Sequence, residues 1–260
     1  MNQGSNLCVR IVRIVTSTNS KSKSNLKCSI LGGSYQIFAS SGFYRSPAET
    51  LVVRLLVVGG GGGGGGITNC GQGGGSGYVA VDSKYLVPNT EYSITVGKGG
   101  SCEVRGGNSS FGTLLATSGG MGSTGLNGGN GSSGGGTLGT CSITYGGSGG
   151  SDGKACNPDR IGGKGQGDYT YLLSQFKHNS ITAGAGGGQS KLQTYYWGGG
   201  GGGILINGVG PSASDGSANG APGLGGKGYG AGGGAGGFNT SNSCALGGAG
   251  ASGLVYFEWD

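Results

Sequence analysis

The chain has 260 residues, of which 71 are glycine, and only 33% are hydrophobic and 10% charged. Ordinary glycine usage is about 7%, and a chain of this length normally buries a large apolar core; Leu, Ile, Val and Phe are too few for one here. Low charge and β-rich segments at both ends of the glycine runs argue against a disordered low-complexity chain, and the whole net charge of +6 lies in residues 1–58.

Residues 1–33 read as a basic N-terminal attachment segment: Leu7 to Val15 is β-prone, Ser17 to Ser24 polar, and Leu26 to Leu31 a second β-prone stretch. Arg10 and Arg13 interrupt the first apolar run, so no signal peptide is expected, and no run of about 20 apolar residues is present to span a membrane. Lys21, Lys23 and Lys27 complete the basic set. These charges are interleaved with Ser and β-formers and lack neighbouring aromatics for base stacking, so docking onto a partner protein is expected rather than nucleic-acid binding.

Residues 34–117 read as a β-rich framing region, with strands at Tyr35–Phe38, Phe43–Tyr44, Leu51–Val58, Tyr78–Val81, Tyr92–Val96 and Phe111–Leu115. Leu51–Val58 is almost continuous in β-branched residues and Leu, as a strand buried on both faces would be. Pro88-Asn89 supplies a turn. Residues 118–253 alternate glycine runs with short inserts and carry almost no conventional signal. No fixed period holds, which excludes collagen and counts against a regular solenoid. An ordered glycine body must offset a large backbone entropy cost. Backbones that approach without Cβ atoms and hydrogen-bond directly are the expected gain, as in short polyproline-II-like rods rising about 3.1 Å per residue. Residues 254–260 supply a last strand, Leu254–Trp259, returning to the framing sheet. The expected fold is thus mostly β and irregular: a small antiparallel β unit framing a polyglycine-II helix bundle with variable display loops.

The inserts hold most of the aromatic and basic residues free for contact. One carries Tyr169, Tyr171, Gln175, Phe176, Lys177 and His178; a second carries Gln193, Tyr195, Tyr196 and Trp197; a third includes Tyr145. Tyr and Trp are common anchors of recognition surfaces, being large, rigid and polar at one end. The competing reading is that they cap the ends of a bundle short of apolar packing, Trp197 above all; Leu172 and Leu173 read as core. His178 is the single histidine and lacks a triad pattern around it. The GxGxxG matches sit in no strand–helix unit, and the Gly-Lys pairs lack P-loop spacing. Seven cysteines show no CxxC spacing and the acids no ligand spacing, so no catalytic residue, metal or cofactor is expected.

The order LVVGGGGGGGG, GGGSGYVAVDSKYLVPNTEYSITVGKGG, GGNSSFGTLLATSGGMG and closing GASGLVYFEW, over roughly residues 35–260, resembles the glycine-rich domain of tailed-bacteriophage tail-fibre and tail-tip proteins. The glycine body is also similar to the receptor-binding adhesins at the tips of T-even-type long tail fibres. That resemblance implies a virion protein acting outside the cell. Its loops between glycine runs would recognise a host-surface protein or glycan, and its N-terminal segment would join another virion protein. The alternative is a structural virion component whose loops pack against neighbouring subunits.

Overall fold

A computed structural model describes residues 34–66, 71–123, 127–136, 163–187, 190–192, 195–217, 222–237 and 245–260, with backbone alone at 190–192 and 195–196. The basic residues Arg10, Arg13, Lys21, Lys23 and Lys27, and the candidates Tyr145 and Gln193, lie outside the described residues.

The framing region is two four-stranded antiparallel sheets. One has the order β1 (Ser34–Phe38), β12 (Leu254–Trp259), β3 (Leu51–Val58), β4 (Val79–Leu86); the other runs β2 (Gly42–Arg45), β5 (Glu91–Thr95), β6 (Ser109–Phe111), β7 (Leu115–Thr117). The two-residue period of a strand sends Val53, Leu55 and Val57 of β3 to one face. There they pack with Leu86, Ile94, Phe111, Val255 and Phe257 between the sheets. Leu56 and Val58 point the other way, into a second core with Leu254, Tyr256, Leu173, Phe176, Ile181 and Ile204. The second half of β3, residues 55–58, is therefore covered on both faces, as its composition implied, whereas Val52 near its start is exposed.

Two stretches differ from expectation. Phe111–Leu115 is not one strand: Gly112 has φ +50, residues 112–114 turn, and β6 and β7 pair as a hairpin. The glycine-rich region also contains regular elements that its sequence hid. These are the one-turn helix α1 (Thr170–Leu173), and the pairs β8 (Ile181–Ala183) with β11 (Ile204–Ile206) and β9 (Ser190–Leu192) with β10 (Tyr195–Trp197). Strands of three residues and a helix of four are too short to register as a period. The Pro88-Asn89 turn is present, with Asn89 at φ 54.

From Val58 the chain passes directly into extended glycine backbone whose hydrogen bonds follow a period of three. The amides of Gly59, Gly62 and Gly65 donate to the carbonyls of Tyr78, Gly75 and Gln72; those of Gly60 and Gly63 to Gly107 and Val104; those of Gly61 and Gly64 to Ala251 and Gly248. Partner numbers fall as donor numbers rise, so these three neighbours are antiparallel. The carbonyls accept in the same rhythm: Gly60 and Gly63 from Gly120 and Ser123, Gly61 and Gly64 from Gly100 and Glu103, Gly62 and Gly65 from Gly233 and Gly236. These three neighbours run parallel. The donor–acceptor distances are 2.7–3.1 Å. Residues 72–78 and 230–237 repeat the arrangement, so buried backbone polar groups are satisfied by other rods rather than by a sheet ladder.

Register gives the bundle two ends. Val58–Gly59, Tyr78, Ser118, Gly230 and Gly253 meet the sheets at one of them, the sheet end. Gly66, Gly71, Cys102, Ser123, Gly136, Gly187, Gly198, Ser217 and Gly237 lie at the other, the far end. Among the described residues no helix is long and apolar enough to cross a membrane.

Candidate functional site

The insert richest in aromatic and basic residues leaves the bundle at Gln166 and returns at Gly184, at the sheet end. Asp168 starts α1 by accepting from the Thr170 amide at 2.9 Å. One helical turn then divides the side chains by face. Tyr169, Leu173 and Phe176 are buried against the sheet, at 2%, 3% and 6% exposure, whereas Tyr171 is 64% exposed and Gln175 and Lys177 also face solvent. The Phe176 ring meets that of Tyr256 edge-on, 5.4 Å between centroids.

Glu258 of β12 fastens the insert. Its carboxylate, almost wholly buried, accepts from the Lys177 amide at 2.8 Å, the His178 amide at 3.2 Å and the Tyr256 hydroxyl at 2.8 Å. Arg54 of β3 lies 3.2 Å from the same carboxylate and donates to the Gln175 carbonyl. Asn179 donates to the Tyr256 hydroxyl at 3.0 Å, and Asn207 donates to Asn179 at 2.7 Å. Burial, reinforced by the Glu258 charge, pushes the Tyr256 hydroxyl well above the ordinary tyrosine range although the Asn179 bond opposes it. Charge-assisted bonds of this kind are strong where water is excluded. They hold the insert against the sheet.

The second insert lies at the opposite end. Gly187 pairs with Gly200 and Gly198 with Gly71, so β9 and β10 project from the far end, with Tyr195 and Tyr196 opposite Leu192 and Lys191. Trp197 is 1% exposed. It therefore closes the bundle end and is not displayed, and Tyr169 and Phe176 are likewise core rather than contact surface. Among the described residues, the structure thus sets the first two inserts at opposite ends.

Sequence reasoning passed over part of the far end. The Cys102-Glu103 turn, with Glu103 at φ 61, stands beside exposed Val104 and Leu246. The Glu103 carboxylate accepts from the Gly66 amide and the Cys102 sulfur from the Gly247 amide, both at 3.2 Å. The signal was available, since Cys102-Glu103-Val104 interrupts an otherwise small and polar stretch. Among the described residues no cluster of His, Cys, Asp and Glu could hold a metal ion.

A family model described as a glycine-rich domain matches residues 39–260. The chain belongs to that family. No curated protein matches it. The match begins within the β1–β2 connection and extends through β12, so it takes in every strand of the two sheets except β1, together with the glycine segments.

Proposed function

We propose that this glycine-rich domain protein is a receptor-binding adhesin of a virus particle, of the kind borne on bacteriophage tail fibres, and that its bundle is of the polyglycine-II type. The period of three with six neighbours around residues 59–66 supports the second part, because three residues per turn point successive amides and carbonyls at successive neighbours. One observation carries the first part. Rod pairs such as 59–66 with 72–78, 184–187 with 198–203 and 230–237 with 245–253 are connected at the far end, away from the sheets. Connections grouped on a rigid base can change sequence without disturbing the hydrogen bonds that hold the base, and rigidity lowers the ordering cost of binding. Ser34 pairs with Trp259 at the outer margin of the sheet, so the basic segment joins the domain at the pole opposite the loops. That polarity suits attachment to a virion protein at one end and recognition of a host-surface protein or glycan at the other.

The test is binding of labelled full-length protein to a panel of intact bacterial cells. The informative variant replaces Lys191, Gln193, Tyr195 and Tyr196 together by Ser; Tyr171→Ala, altered at the sheet end, is the control. Binding to some strains that falls at least about tenfold in the far-end variant and persists in the control supports the adhesin. Folded protein that binds no strain favours a structural virion component instead.

A further inference from the structure

We propose that the outer edge of β4 is a homodimer interface, pairing antiparallel with the same edge of a second copy about a two-fold axis at Ser83. The argument begins with which backbone groups the edge presents. Val79 donates its amide to the Gln166 side-chain oxygen at 2.9 Å, and its carbonyl accepts from the Gln166 side-chain nitrogen at 2.7 Å. Val79 therefore faces away from β3, and the two-residue strand period sends Val81, Ser83 and Tyr85 outward with it. Gln166 closes the edge at Val79, and at the other end the Val87 amide is taken by the Tyr92 hydroxyl at 2.7 Å. Between these stoppers, centred on Ser83, lies a stretch of edge to which no strand is paired among the described residues.

An edge of this kind is a template for another strand, and its side chains say which one. A two-fold axis at Ser83 sets Asp82 opposite Lys84 of the copy, twice, and Val81 opposite Tyr85 of the copy, twice. Tyr85 is 74% exposed beside Val52 at 52%, its partner in register on β3, so the apolar pairs would join an existing exposed strip. Other axes on outward residues are poorer. An axis at Tyr85 brings Ser83 opposite Val87, whose amide is already held by the Tyr92 hydroxyl, and one at Val81 runs into the Val79 groups already held by Gln166. In the single chain Asp82 reaches Lys84 at 2.6 Å and accepts the Ser83 amide at 2.8 Å. These local bonds cover the edge and would exchange for equivalent bonds across the axis. The contact is isologous, the same patch meeting itself, as closed two-fold dimers require.

Sedimentation equilibrium of the full chain, with reductant present because of its cysteines, tests this. The native protein is expected to dimerise. Asp82→Lys and Lys84→Asp each place like charges opposite one another twice, and each should weaken dimerisation on the order of thirtyfold. Mixed one to one, the two variants should pair with each other, because every cross-axis pair is then of opposite sign. Ser83→Pro removes the central amide at an edge position that tolerates proline and should give a folded monomer by circular dichroism. A native chain that stays monomeric, a dimer unmoved by these variants, or two folded variants that fail to pair when mixed would each overturn the proposal.

Discussion

A β-carbon built on Gly200 overlaps the carbonyl of Gly232, and one on Gly63 overlaps that of Ser101. In both cases the obstacle is backbone of a neighbouring rod, which cannot turn aside as a flexible side chain can. Gly200→Val should therefore cost more than about 3 kcal/mol, beyond ordinary overpacking, and a thermal melt showing a native transition temperature would refute that. The runs still admit chosen exceptions. Ala231 is fully buried within a rod and packs with Ala213 and Ala251, while Ser76 meets Ser132 hydroxyl to hydroxyl at 2.7 Å. That glycine was needed in bulk was plain from composition. Which run positions have room for a methyl or hydroxymethyl group depends on the rods that pack around them, and those come from segments distant in sequence.

Among the elements, the insert around α1 acts as part of the core. Tyr169, Leu173 and Phe176 cover the face of β3 and β12 that Leu56, Val58, Leu254 and Tyr256 present, and Glu258 ties down the adjoining backbone. Stability should respond to alkali through this contact. Tyr256 has its hydroxyl pushed up chiefly by burial, as do Tyr44, Tyr169 and Tyr229. A group whose folded value lies above its unfolded value contributes stability that is present below the unfolded value, about 10 for tyrosine, and is lost as pH rises toward the folded one. Chemical denaturation is expected to show stability level between pH 7 and 9 and falling above about 10. The fall should be shallower in Tyr256→Phe, and equal slopes in the two proteins would contradict this assignment. The aromatic content of the insert was legible as important, but its direction was not. A four-residue helix has no periodicity to reveal its inner face, so Tyr169 and Tyr171 looked equivalent in sequence and differ completely in burial.

Taken as a whole molecule, the chain has a stiff sheet end and a far end where the described rods give way to their connections. Tolerance to insertion should follow that division. A short Gly-Ser insertion within residues 218–221, whose flanks Ser217 and Pro222 belong to far-end rods, should leave the melting temperature within a few degrees of native. The same insertion between Ser132 and Ser133, both fully buried at a sheet-end turn, should abolish the cooperative transition. Equal tolerance at both places would show that the division has no energetic meaning.

By itself the sequence determined that the glycine-rich part of this protein cannot rest on an ordinary apolar core, that its strands frame the glycine region, and that Leu51–Val58 is a strand, which the structure covers on both sides over residues 55–58. Each follows from local composition and a two-residue period, which survive in one dimension. Only the tertiary structure decided the pairing of rods, the opposite placement of the two aromatic inserts, the burial of Trp197, and the edge of β4 to which no strand is paired among the described residues. The physical reason is the same in every case. Backbone hydrogen bonds between extended glycine segments carry no side-chain signature, so a run's neighbours, and hence the end at which its loop emerges, are fixed by register across distances the local sequence does not encode.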